Sequence, residues 1–343
     1  MKFEALDSLR GFAALAVAVF HFRSGWGGYL AVDFFLVLSG FVLSHSYMYK
    51  DAAISPIEFV GRRLARLYPI HFLTIFTFIA AFACVNKHLP SYPDGSLFTF
   101  FQNLTLTQNV GLNPSGLTYN YPSWSVSVEF WVNVMFIFFV GRSTGNATLF
   151  AISLAGIALI ITKTGHLDIH YPNYFEVINS GLVRGVSSFF VGIISYRLYL
   201  CYRDDVRVKK YIDYLEVISV AVIFVIIFGR VGKFSKMDMI APFAFMFAIA
   251  IFSLEGGLFS KRLRKYKYLG EISYSMYLNH VTVLLLFEHA VKYFPLPVWL
   301  VIPAYLGVVV VYSCFTYEYV EKPLTKKFRN LLTLVNASRA KNV

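Results

Sequence analysis

The sequence predicts an all-α, polytopic membrane protein with about ten transmembrane helices and both termini cytoplasmic. Three observations carry that reading. Of the 343 residues, 57% are hydrophobic and only 15% are charged, whereas soluble domains carry about 25% charged residues. Several apolar runs approach or exceed the ~18 residues that mark a spanning helix. The basic residues, finally, gather in alternate connections, as they do when cytoplasmic loops hold the positive charge.

The apolar runs, read against turn residues, place spans at about 5–23, 29–49, 67–86, 123–141, 147–162, 180–200, 211–229, 238–254, 272–291 and 298–319. The first run opens with Lys2 and Arg10 in the manner of a signal peptide. No small-residue cleavage site follows it, and Arg23 leads straight into a Gly-rich turn, so it is expected to remain as the first span. With the N-terminus inside, 22 Lys and Arg fall on the cytoplasmic side and 7 outside, and Arg10 and Arg184 lie within spans. The longest connection, about 87–122, lies outside, where it could serve as a lid or an acceptor surface. The expected organisation is one transmembrane domain over 1–325 and a short basic cytoplasmic tail over 326–343.

This placement of charge accounts for the net +12 without nucleic acid as a partner. The aromatic content of 18% suits helices whose ends lie at lipid interfaces. Three scattered cysteines, Cys84, Cys201 and Cys314, form neither a disulfide framework nor a metal-binding spacing, and they read as packing residues. No metal is expected.

Five groups carry chemistry. In the first span Arg10 and His21 are eleven residues apart, which returns them to one helix face within about 20° and separates them by roughly 16 Å along the axis. Asp7 lies one turn from Arg10, within pairing distance. Ionisable groups at membrane depth are costly and are functional by default. Asp33, the one acid of the second span, could orient the His21 imidazole or simply favour a helix start. Arg63 and Arg66 in GRRLARLYP, residues 61–69, sit one turn apart with Arg62 beside them; guanidinium forks suit phosphate oxygens, and such clusters also set topology. In PSWSVSVEFW, residues 122–131, Ser123 looks like an N-cap, and Ser125 and Glu129 share a face with Glu129 two turns into an apolar span. In GEISYSMYLNH, residues 270–280, Tyr274, Tyr277 and His280 recur at three-residue intervals. His280 could be a second base, a hydrogen-bond donor to substrate, or a satisfied core histidine.

Together these stretches resemble the membrane-bound acyltransferase 3 family. The resemblance rests on R-x10-H in LDSLRGFAALAVAVFH, on AVDFFLVLSGFVLS, RxxRLYP, WSVSVE and SYSMYLNH, and on YVEKP after them. It extends over about residues 5–323, with WSVSVE in place of the commoner WSLSVE.

The resemblance implies transfer of an acyl group, commonly acetyl from acetyl-CoA, to a hydroxyl of a carbohydrate or lipid-linked glycan of the cell envelope, by a multi-pass protein of the bacterial inner membrane. Carried onto this sequence, Arg10, Arg63 and Arg66 would hold the CoA phosphates and His21 would act as general base, with Glu129 or Asp33 fixing its tautomer. Trp124, Tyr277 and His280 would bind the acceptor. An acyl-histidine relay is the rival route. A proton-coupled transporter of a sugar or lipid-linked intermediate is the alternative from a different class; it would explain His21 and Glu129 but has no use for an Arg cluster on a donor side. A structural protein of the envelope would tolerate loss of His21.

Overall fold

The computed structural model describes residues 3–23, 26–48, 54–111, 116–140, 144–168, 173–174, 178–229 and 235–341. Lys2, Lys50, Arg142, Arg230 and Lys233, which entered the charge count, lie outside the described residues. Helices occupy all ten expected positions. They are α1 (Glu4–Phe22), α2 (Ala31–Leu43), α3 (Pro56–Asn86), α4 (Ser96–Leu104), α5 (Trp124–Phe139), α6 (Asn146–Thr164), α7 (Ser180–Tyr202), α8 (Val206–Phe228), α9 (Ala241–Phe252), α10 (Leu258–Leu263), α11 (Lys267–Glu271), α12 (Ser273–Tyr293), α13 (Val298–Thr316) and α14 (Lys322–Lys341).

Among the described residues six helical segments are long and apolar enough to cross a membrane: Glu4–Phe22, Gly27–Met48, Pro56–Asn86, Asn146–Thr164, Val206–Phe228 and Val298–Leu334. Of the other four expected spans, α5 has 16 residues and α9 has 12. The buried face of α7 is built of serines, glycines and Arg184, and α12 carries Ser, Asn and His on its inner side. Polar side chains turned inward lower the mean hydropathy of a helix without exposing anything polar to lipid. The all-α expectation needs one small amendment. Asn173–Tyr174 and Ile178–Asn179 pair as two antiparallel strands of two residues each, between α6 and α7.

The chain divides into two compact units, 1–50 with 141–274, and 51–140 with 275–343. In the first, α2 and α7 pack at a glycine crossing. A Cβ at Gly192 would overlap the Val37 carbonyl oxygen, and one at Gly40 would overlap that of Phe189, so only glycine lets the two backbones approach this closely. The Ser195 hydroxyl then ties α7 to α9 by donating to the Met246 carbonyl at 2.7 Å. The start of α1 has no side-chain cap of its own. Its Ala5 amide donates to Glu255 at 3.0 Å, and Arg264 holds the other Glu255 oxygen at 3.2 Å. Lys267 adds an ion pair to Glu4 at 2.8 Å, which raises the lysine's pKa through the hydrogen bond and the charge of Glu4.

In the second unit α3 begins before its apolar part. Ser55 caps it by accepting from Glu58, and Pro56 sits at the first position, where a missing N–H costs nothing. The charged turn 61–66 is therefore the first part of one 31-residue helix rather than a loop. The long connection folds into α4 and a tyrosine pair. Tyr92 and Tyr119 have ring centroids 4.9 Å apart, and both pack in a core with Phe78 and Val281. The buried His71 ring reaches this connection from α3, its Nε2 donating to the Asn103 carbonyl at 2.8 Å.

Candidate functional site

The first unit holds His21, Arg10 and Asp33. α1 puts Arg10 and His21 on one face, both half-buried. Arg10 pairs with Asp7 at 3.3 Å, the contact their three-residue spacing offers. The His21 Nδ1–H donates to the Val17 carbonyl one turn earlier, at 3.0 Å. That bond selects the neutral tautomer in which Nε2 is the basic nitrogen. The last turn of α1 is held from outside by the turn Gly27–Leu30. A Cβ at Gly28 would run into Phe20 and the Ala16 carbonyl, and the Tyr29 ring packs tilted against Phe20 with centroids 5.4 Å apart.

Asp33 lies in the first turn of α2, the helix-start position that one of its two readings gave it. Its carboxylate is fully buried and forms a two-pronged ion pair with Arg184, Nε to Oδ1 at 3.1 Å and an Nη to Oδ2 at 2.7 Å. Ser188 also donates to Oδ1, at 2.8 Å. Arg184 extends to the Tyr29 carbonyl at 2.8 Å, and the Tyr29 hydroxyl donates to Asp238 at 2.8 Å. The bonds of Asp33 thus run to α7, while His21 is oriented by its own helix. Arg184 and Asp238 are the members that sequence reasoning missed. An arginine within a span calls for a buried carboxylate, and that rule was the available signal.

The second unit holds the remaining candidates. Tyr277 is buried, its hydroxyl 2.7 Å from Ser125 Oγ and 3.1 Å from the Pro122 carbonyl, to which it donates. His280 has no exposed surface. Its Nδ1 donates to the Tyr277 carbonyl at 2.7 Å, and the Tyr305 hydroxyl donates to the His280 carbonyl at 3.1 Å. Trp124 opens α5 and is also buried. The start of α5 and the middle of α12 are thereby locked together, and Asn120 adds a bond to the Leu278 carbonyl at 2.8 Å. Ser123 starts the helix without a side-chain cap bond, so the expected N-cap is not formed. Glu129 is half-buried two turns into α5. On α3, Arg63 is buried with its guanidinium 5.9 Å from the Phe59 ring centroid, and Arg66, one turn on, is half-buried. Arg62 pairs outward with Glu58 at 2.5 Å. Among the described residues no group of three His, Cys, Asp or Glu is placed to hold a metal ion. Cys84 and Cys201 are exposed and Cys314 is partly so.

Long helices apolar enough to cross a membrane, with ionisable groups set into them, mark an integral membrane protein. The sequence comparisons narrow that class. A family described as an acyltransferase domain matches residues 3–318, and the chain belongs to that family; it is a membrane acyltransferase, transferring groups other than aminoacyl groups. Protein 2 of the picA locus of Rhizobium radiobacter is 32% identical over 179 residues, 47% of this chain and 94% of that protein. O-acetyltransferase OatA of Staphylococcus aureus is 26% identical over 351 residues, 94% of this chain and 57% of OatA. Acyltransferase MdmB of Streptomyces mycarofaciens is 34% identical over 148 residues, 38% of this chain and 37% of MdmB. The chain thus spans little more than half the length of OatA. No solved structure gives a significant match.

Proposed function

We propose that the protein transfers an acyl group, acetyl in the simplest case, from acyl-CoA to a hydroxyl of a cell-envelope carbohydrate or lipid-linked glycan, with His21 as general base. The observation that carries this reading is the 3.0 Å bond from His21 Nδ1 to the Val17 carbonyl. It leaves the lone pair on Nε2, where a base or nucleophile needs it. The tautomer therefore needs no carboxylate, and Asp33 serves the reaction indirectly, by holding the turn that packs on the last turn of α1. Glu129 is proposed as a further acid–base group. Trp124, Tyr277 and His280 shape the acceptor side by fixing the start of α5.

Arg10, Arg63 and Arg66 are the proposed phosphate-binding groups for the donor, since guanidinium stays charged and binds oxygen pairs. The O-acetyltransferase relative supports acetyl and a hydroxyl acceptor. The ten-span arrangement with both termini cytoplasmic, in a bacterial inner membrane, is the topology under which Arg63 and Arg66 meet a cytoplasmic donor. The transporter alternative finds no support among the relatives.

The test follows free CoA released from acetyl-CoA by the purified chain in nanodiscs, with an envelope-glycan extract as acceptor. Wild type should release CoA, and His21→Ala should lose at least 100-fold, the low end of what a positioned acid–base group contributes. Retention of wild-type turnover by His21→Ala overturns the role of His21. Failure of the wild type to consume acetyl-CoA with any acceptor fraction overturns the donor.

A further inference from the structure

Besides the arginine cluster at 62–66, three basic runs border the apolar helices, and they differ in how their charge is used. In the run at 203–210, Arg203 and Lys209 both pair with Asp204, at 3.2 and 3.8 Å. In the run at 261–267, Arg264 pairs with Glu255 and Lys267 with Glu4. The third run lies on α14, KPLTKKFRNLLTLVNASRAK, which contains no acidic residue. Its first lysine pairs with Glu318 at 2.7 Å. Lys326, Lys327 and Arg329 are exposed, and no salt bridge to them is found among the described residues.

The opposite face of α14 is apolar. At about 100° per residue, Leu324, Phe328 and Leu331 fall within ~60° of one another, Lys322, Lys326 and Arg329 cluster on the far side, and Lys327 lies at the edge of the stripe, about 40° from Leu331. Those apolar side chains are open: Phe328 is 43% exposed, Leu331 48% and the nearby Leu334 66%. Leu332, at the edge of the stripe, packs on Gly61 of α3, where a Cβ would come within 2.8 Å of it. α3 fixes the depth of that contact. Its 31 residues are about 46 Å long, well beyond a ~30 Å hydrocarbon core, and its charged turns at 56–66 form the excess. The π-helical turn Tyr317–Glu321 joins α13 to α14.

We propose that α14 is a docking element for anionic phospholipid, its apolar stripe against the acyl chains and Lys326, Lys327 and Arg329 on the headgroups. An exposed apolar stripe flanked by cations without acidic partners is complementary to an acidic lipid surface. The inference is separate from the acyl-transfer reading, since it concerns a surface and not the chemistry.

The experiment titrates the full chain in detergent with phosphatidylglycerol, and in parallel with phosphatidylcholine, and counts retained lipids by native mass spectrometry. Wild type should retain phosphatidylglycerol in preference, and K326Q/K327Q/R329Q should weaken that retention by on the order of tenfold or more. The control K209Q/K210Q should leave it unchanged, and the double variant Phe328→Ser with Leu331→Ser should weaken it with every charge in place. Equal retention by the triple variant, equal loss in the control, or equal binding of phosphatidylcholine would each overturn the proposal. Displacement of the lipid by millimolar inorganic phosphate would also overturn it, by marking a phosphate site in place of a lipid surface. If the triple variant proves poorly folded, Lys326→Gln alone decides, with about a fivefold loss expected and no loss overturning.

Discussion

The Asp33–Arg184 pair is the interaction on which the first unit depends most directly. Its two side chains are 0% and 1% exposed, so neither charge has water to return to if its partner is removed. Arg184→Met would leave the carboxylate with the Ser188 hydroxyl as its remaining described donor, and would also remove the Arg184 bond to the Tyr29 carbonyl. Breaking a buried pair in this way costs about 3–5 kcal/mol. At roughly 2 °C per kcal/mol for a chain of this size, the apparent Tm should fall by about 6–10 °C. Replacing both charges is a different perturbation, since neutral groups carry no comparable desolvation penalty. The double variant D33N/R184M should therefore recover much of the loss, with a coupling of about 2 kcal/mol or more. The assay is thermal unfolding of the full chain at fixed detergent and scan rate, because membrane proteins of this size unfold irreversibly. Additive losses in the double variant, or an unchanged Tm for Arg184→Met, would refute the reasoning.

Two further predictions concern packing and pH. Gly192→Ala forces a Cβ onto the Val37 carbonyl oxygen; backbone cannot yield as a side-chain tip does, so at least the ~1–3 kcal/mol of ordinary overpacking is expected, read as a lower Tm, whereas Gly307→Ala, with open space around it, should change little. In the outer connection, burial pushes the Tyr92 hydroxyl up to about 12, against the opposing pull of the Tyr119 amide bond. The folded state then holds this proton after the unfolded chain, titrating near 10, has lost it. Its contribution is whole below pH 10 and is lost as pH rises through about 12. Between pH 9 and 11 the wild-type Tm should fall more steeply than that of Tyr92→Phe, and parallel slopes would remove Tyr92 from the account.

Helix positions were legible because hydropathy marks what lipid or core must cover. Helix ends were less so, since hydropathy reports the membrane and not the backbone. The apolar run starts at 67, yet α3 starts at Pro56, where Ser55 and Pro56 supply an N-terminal signal unrelated to apolarity. α14 was read as a tail for the same reason. Its apolar residues are spaced for one face and never form a run. Local contacts at the site were readable from spacing: Arg10 on Asp7, and Tyr277 beside His280. Asp33 with Arg184 joins residues 151 apart, and no periodicity records such a pairing. Only the cost of an unpaired charge at depth pointed to it.

The orientation of His21 bears on the choice between direct transfer and a relay. A general base gathers positive charge on the imidazole as the acceptor proton arrives, and a carboxylate beside Nδ1 would stabilise that charge directly. A carbonyl on Nδ1, as Val17 provides, orients the ring but offers only a dipole to the imidazolium. A nucleophilic Nε2 needs the same neutral tautomer and begins uncharged. The two routes then separate in one measurement on the wild type without acceptor. In a relay, acetyl label from acetyl-CoA stays on the chain and is released by hydroxylamine, and His21→Ala takes up none. In direct transfer the chain takes up no label at any stage, and label appears on the acceptor once it is added. If label is retained equally by wild type and His21→Ala, the acylated group is not His21 and the relay through this ring fails.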